Sequence, residues 1–210
     1  MWWCRQNCPT VSGVPSHIPW NEGTWFNPPA DIAVDRNGLT VTAHEGSDLW
    51  RTTSYGFVHD SAHALLRPFE IGSAVEVSFV LDFGAQFDQA GILVRSDEAH
   101  WLKAGTEMSD GEAHVGAVAT RGTSDWSLAP VPDWHGTVVT VRVSWSGDAL
   151  SVRARSESSA WRLLRVSPWT PPSATVMAGP YLAAPTRAGL HVRFTEWKVD
   201  SADVELHASA

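Results

Sequence analysis

Along most of the chain, apolar residues recur at every second position. In "LTVTAH", Leu39, Val41 and Ala43 fall on one side, and in "AVEVSFVLDF" Val75, Val77, Phe79, Leu81 and Phe83 do the same. That is the period of a half-buried β-strand. The segments "AGILVR", "HWLKAGTE" and "EAHVGAVATR" follow, separated by the turn-rich "SDEA" and "MSDG", which predicts an antiparallel meander. "VVTVRVSW" directs Val139, Val141, Val143 and Trp145 inward and Thr140, Arg142 and Ser144 outward. A "SGDA" turn returns the chain into "LSVRARS", and "TVMAGPYLA" and "GLHVRFTEW" supply the last strands. "GTSDWSLAPVPDWHG" reads as a loop, and "FVHDSAHALL" is placed between strands.

No amphipathic helix of useful length, internal repeat or dividing linker interrupts this pattern. The expectation is an all-β, two-sheet antiparallel sandwich or jelly roll, in which one face of each sheet forms the core and the far face of a curved sheet offers a groove. Residues 1–19, with Pro9, Pro15 and Pro19, predict an extended N-terminal arm; 20–200 a single domain; and 201–210 a fraying tail.

Composition narrows the function classes. The 210 residues include 12 Trp against 2 Tyr and 7 Phe, and Trp is the side chain best suited to stacking on sugar faces and cations, although it also fills sandwich cores. A net charge of −8 disfavours nucleic acid and anionic membrane surfaces as partners. Cys4 and Cys8 lack the further ligands of a zinc site, so a local disulfide and two free thiols both stay open. Without a recognisable secretion signal or an apolar run of spanning length, the expected compartment is cytoplasmic. Nothing calls for a cofactor or a metal; His59 and His63 are the only close histidine pair, and no third ligand accompanies them.

The unusual strand is "HWLKAGTE". Its Leu102, Ala104 and Thr106 face one way, while Trp101, Lys103, Gly105 and Glu107 put an aromatic, a cation, a gap and a carboxylate on the other. Gly105 removes a side chain at the centre of the row, as close approach of a ligand would require. Similar mixtures of charge and ring occur in "GSDLWRTT" (Asp48, Trp50, Arg51), "QFDQAGILVR" (Asp88, Gln89, Arg95) and "TRGTSDWS" (Arg121, Ser124, Asp125, Trp126). If the meander pairs in register, Gln89, Arg95, Lys103, Glu107 and Arg121 share one face.

These segments in this order, with "GPYLAAPTRAGLHVRF", resemble the DUF1349 family over about residues 20–197. The resemblance implies a concanavalin A-like jelly roll of the lectin/glucanase superfamily. It implies a fold more firmly than an activity, because binding modules and glycosidases share that architecture. It carries no family-wide catalytic assignment.

The resulting expectation is a groove that binds a carbohydrate or polar small metabolite, with Trp50, Arg51, Asp88, Gln89, Arg95, Trp101, Arg121 and Trp126 as ligand-binding residues. The alternative is an enzyme acting on a sugar-like or cyclic carbonyl compound by acid/base chemistry, a hydrolase, lyase or isomerase, with Glu107, Lys103 and Asp125 catalytic and Arg121 assisting. The single-strand Glu-x-Asp-x-Glu of the superfamily's glucanases is absent, and Lys103 is expected to lower the Glu107 pKa. A protein-interaction or regulatory domain is the third class, resting on the resemblance alone.

Overall fold

The alternating pattern lays down two antiparallel sheets, as a computed structural model describes for residues 15–207. Cys4 and Cys8, and most of the expected arm, lie outside the described residues. In chain order the strands are β1 (Ser16–His17), β2 (Thr24–Phe26), β3 (Asp31–Asp35), β4 (Gly38–Thr42), β5 (Leu49–Arg51), β6 (Val58–Asp60), β7 (His63–Pro68) and β8 (Ser73–Val80). There follow β9 (Gln89–Arg95), β10 (His100–Ser109), β11 (Glu112–Arg121), β12 (Thr123–Pro130), β13 (Val138–Ser146), β14 (Ala149–Ser156), β15 (Arg162–Pro168), β16 (Met177–Ala183) and β17 (His191–Ser201).

One sheet runs β15-β14-β13-β8-β17-β4-β3, with β1 added against β17; the other runs β12-β11-β10-β9-β16-β7-β2. Inward residues of both make the core. Val77, Phe79, Val139, Val141 and Val143 from the first sheet meet Ile92, Val94 and Leu102 from the second, all fully buried. Each such side chain stabilises the fold by about 1.5–3 kcal/mol. Phe79 and Phe194 meet edge to face at 6.1 Å.

Two local expectations change. The stretch read as a loop contains β12, an edge strand paired along its length with β11, and only Pro132–Trp134 is a 3-10 turn. Exposed alternate positions on an edge strand weaken the apolar period that would have revealed it. "FVHDSAHALL" is not a connection but holds most of β6 and β7, two short strands meeting at Ser61 and Ala62.

Both ends of the described segment are attached to the sandwich. Ser16 and His17 pair with Val199 and Lys198, and Ile18 enters the core. After Ser201, Asp203 accepts from the Arg142 guanidinium at 2.9 Å, and the Arg153 guanidinium donates to the carbonyls of Glu205 and Leu206. Arg142 also binds Glu76 at 2.7 Å and Asp200 at 3.2 Å, so a largely buried cation is held by three carboxylates on the outer side of the first sheet.

The second sheet is covered on both faces. β5 and β6 form a separate hairpin that lies over its outer face, where Leu49 and Trp50 pack on Leu93, Trp101, Val118 and Tyr181 as a second apolar layer. This explains why β10 is buried along nearly its whole length instead of at alternate positions.

Across the middle of this sheet Gly91, Gly105 and Gly116 stand in register on three adjacent strands. A Cβ on Gly105 would lie 2.0 Å from the Ala90 carbonyl oxygen, and one on Gly91 2.0 Å from that of Ala104. Gly105 therefore serves the close approach of neighbouring strands, which corrects the expectation that it clears space for a ligand.

Candidate functional site

Three features of the chain converge on the outer face of the second sheet. β10 presents Lys103 and Glu107, β9 presents Gln89 opposite Glu107, and the loop after β4 brings Asp48 in from above. With the β5–β6 hairpin they enclose a cavity of about 330 Å³. Trp50, Tyr55, Phe57, His59, Phe87 and Trp126 wall it, together with Val118, Pro185, Thr186 and Gly46. Its size is at the small end for ligand pockets.

The floor is a closed network. The Lys103 ammonium, 3% exposed as a residue, donates to Asp48 Oδ1 at 3.1 Å and to Gln89 Oε1 at 2.8 Å. Gln89 Nε2 donates to Asp48 Oδ1 at 3.4 Å and to the Phe87 carbonyl at 3.2 Å, and the Tyr181 hydroxyl donates to Gln89 Oε1 at 3.4 Å. Gln89 is thereby fixed in one orientation. Burial, and then the neighbouring Glu107 and Asp48 carboxylates, push the Tyr181 phenol well above its usual range, so it stays a donor.

Glu107 stands apart from this network. It is 9% exposed, and no hydrogen bond or ion pair reaches it among the described residues. Burial pushes its carboxyl up to about 7; Lys103 opposes the shift and Asp48 adds to it. The expected lowering by Lys103 is corrected here, because Lys103 is matched to Asp48 while Glu107 bears the loss of water.

The walls are rings in contact. Trp50 meets Tyr55 at 5.4 Å and Trp126 at 6.0 Å, both edge to face, and Tyr55 stacks on Phe57 at 5.4 Å. The Trp50 indole N–H donates to the Thr53 carbonyl at 3.0 Å, which ties the hairpin tip to its own first strand. Thr52, Ser54 and Phe87 adopt positive φ values of 56°, 59° and 64°. Left-handed backbone at a β-branched and an aromatic residue is strained, and strain held beside a cavity points to a functional requirement.

Of the sequence-derived candidates, the structure brings Trp50, Gln89, Lys103, Glu107 and Trp126 to this cavity. The others lie elsewhere. Trp101 is fully buried within the second apolar layer, and its indole nitrogen has no partner among the described residues. Arg95 forms a two-bond pair with Asp60 at 2.8 and 2.9 Å and covers the Phe26 ring. Asp88 is enclosed by the Arg187 guanidinium, and Arg51 donates to the Gly122 and Glu98 carbonyls.

Arg121 is opposite His100 in the register, so it falls on the other pleat from Lys103, and it is exposed. Asp125 pairs with Arg165 across the sheet edge. Both therefore stand away from Glu107, and neither lines its cavity. Asp48, noted in the sequence but not counted among the site residues, proves central, and Tyr55, Phe57, His59, Phe87 and Tyr181 were missed. The cluster "SYGF" carried the best available signal: two aromatics around a glycine with φ of 75°.

His63 lies behind the same loop. Its Nδ1 lies 2.8 Å from the Asn27 carbonyl, and its Nε2 accepts from the His44 amide at 3.0 Å. Desolvation lowers its pKa against the pull of the Asn27 carbonyl, so both ring nitrogens serve structure as a neutral imidazole. No group of three or more metal-ligating side chains occurs among the described residues. No helix among them is long and apolar enough to cross a membrane.

The class the fold defines is an all-β jelly roll of two antiparallel sheets, and a solved lectin shares that fold. Lectin I-B4 from Griffonia simplicifolia superposes with a TM-score of 0.56 at 14% identity, over 87% of this chain and 94% of the lectin, a likeness of fold alone.

Residues 25–202 match the family described as "Protein of unknown function (DUF1349)", and the chain belongs to it. It is similar to "Regulation of enolase protein 1" of Saccharomyces cerevisiae, 39% identical over 181 residues that cover 85% of this chain and 89% of the relative. A crystal structure of a functionally unknown protein from Saccharomyces cerevisiae matches with a TM-score of 0.81 at 36% identity, covering 90% of this chain and all of the other.

Proposed function

We propose that this protein binds a neutral, polar, ring-shaped small molecule, a sugar or a sugar-derived lactone, in the cavity between the β5–β6 hairpin and the outer face of the second sheet. The observation that carries the reading is the division of that cavity into aromatic walls and a polar floor, with one acid left unpartnered among the described residues. Rings supply flat apolar faces for the ligand's C–H surface, and Glu107, without a partner among the described residues, is available to a hydroxyl.

Charge favours a neutral ligand. Lys103, the cation of the floor, is matched to Asp48 at 3.1 Å, and the remaining acid is Glu107, so an anionic ligand meets no uncompensated positive group in the lining. Lectin likeness supports the reading at the level of fold.

A second reading rests on Glu107 by itself. A buried carboxyl near 7 is suited to give and take a proton at neutral pH, the property of a general acid/base. On this reading the bound ring is a substrate, and Lys103, held by Gln89 and Asp48, lines the same cavity as Glu107.

Proton NMR of the protein with glucose, galactose, xylose, mannose, glucono-δ-lactone and glucuronate separates the readings. Line broadening for a neutral member, weaker for glucuronate, supports binding. New resonances that disappear with Glu107→Gln support catalysis. Broadening that survives Trp126→Ala unchanged would remove the cavity from the account.

A further inference from the structure

The deep cavity has a neighbour. A second, more open cavity of about 380 Å³ is lined by Trp50, Tyr55 and Trp126, which also wall the first, and by Thr53, Ser54 and the Ser124–Asp125 segment. Trp50 meets both Tyr55 and Trp126 edge to face, and these three rings form a partition wall common to the two cavities, which adjoin there. The two differ in kind. The first ends on the buried Lys103, Gln89 and Glu107 floor, whereas Thr53, Ser54 and Tyr55 in the second are exposed.

We infer that the protein recognises the terminal unit of a longer neutral ligand, a disaccharide or other glycoside, with the terminal ring in the deep cavity and the next unit in the second. This deepens the proposed function and rests on it. A closed floor fixes the end of the ligand, because a chain interior would have to continue through Lys103 and Glu107. The partition supplies a ring surface to each unit. The hydroxyls of Thr53 and Ser54, for which no partner occurs among the described residues, are the hydrogen-bonding groups of the second position.

The strained hairpin tip fits this role. Thr52 and Ser54 are both held left-handed on either side of Thr53, and the exposed Thr53–Tyr55 segment lines the second cavity. Taken together, the two volumes are in the middle of the usual range for ligand sites, where the first alone is at its lower end.

Isothermal titration with each neutral sugar of the panel and with disaccharides ending in it (cellobiose, lactose, maltose, xylobiose) tests the inference. The expected result is that at least one disaccharide binds tenfold or more tightly than its own terminal monosaccharide. The double variant Thr53→Ala with Ser54→Gly, the glycine suiting the φ of 59°, should erase that advantage. Its melting curve, recorded alongside, reports that the hairpin is intact. Equal affinities for both lengths would overturn the second position while leaving the single-ring function standing. An undiminished disaccharide advantage in the variant would overturn it too, and no heat from any neutral sugar would overturn both.

Discussion

Lys103 and Glu107 share one face of one strand and one cavity, yet they do not pair: the Lys103 ammonium is 3.1 Å from Asp48 Oδ1, and Glu107 has no partner among the described residues. A buried cation matched to a different carboxylate leaves a second carboxyl desolvated. That arrangement costs stability, and it is the reason to assign the cavity a task.

The cost has a pH signature. An unfolded Glu107 ionises near its ordinary 4.5 and the folded one near 7, so stability from this group is complete below 4.5 and declines as pH rises through 7. Glu107→Gln carries no such penalty and should be more stable than the parent above pH 7 by ~3 kcal/mol, the equivalent of the shift. Urea unfolding of both proteins from pH 4 to 9 checks this; parallel profiles would contradict it.

His63 acts in the opposite direction. Its pKa is lowered on folding, so its contribution is complete above the ordinary 6.5 and is lost as pH falls below that value, when protonation breaks the bond from the His44 amide. In a Glu107→Gln background, where the acid's own titration is absent, stability should fall on acidification through this range. His63→Gln, able to keep an acceptor and a donor, should flatten that fall.

The Asp48–Lys103 pair should show strong coupling. Lys103→Met leaves Asp48 and Gln89 without their cation and should cost about 3 kcal/mol. Adding Asp48→Asn should cost less than the sum of the two single changes, as a double-mutant cycle by denaturant unfolding measures.

The glycine row separates backbone from site. Gly105→Ala would place a Cβ 2.0 Å from the Ala90 carbonyl oxygen and should cost several kcal/mol or prevent folding, roughly the upper end of single-site effects. Gly84→Ala meets nothing within 4 Å and should change stability by no more than about 0.5 kcal/mol. Thermal melts of the two variants decide the matter.

Period-two alternation made the sandwich legible. Val139, Val141 and Val143 are buried as their pattern requires, and β10 turns Lys103 and Glu107 to the side opposite Leu102 and Ala104. Strands of three residues, such as β5 and β6, are too short to show a period, and they carry the hairpin that roofs the cavity. For the same reason Tyr55 and Phe57 escaped notice.

Charged candidates were harder to place, because a charge beside a ring looks the same in a sequence whether it faces a cavity or another side chain. Arg95 found Asp60, Asp88 found Arg187 and Asp125 found Arg165, each across many residues. Trp101 was on the expected face, but the hairpin above it turned that face into a second core.

The most direct test of the account uses the tryptophan indole N–H resonances, assigned by single Trp→Phe variants and followed by heteronuclear NMR during titration with the neutral sugar that binds best. Trp50 and Trp126 should shift together while the core Trp197 and the outlying Trp161 stay fixed. Shifts confined to Trp161, or no shift at Trp50 and Trp126 at saturation, would contradict a binding site in this cavity.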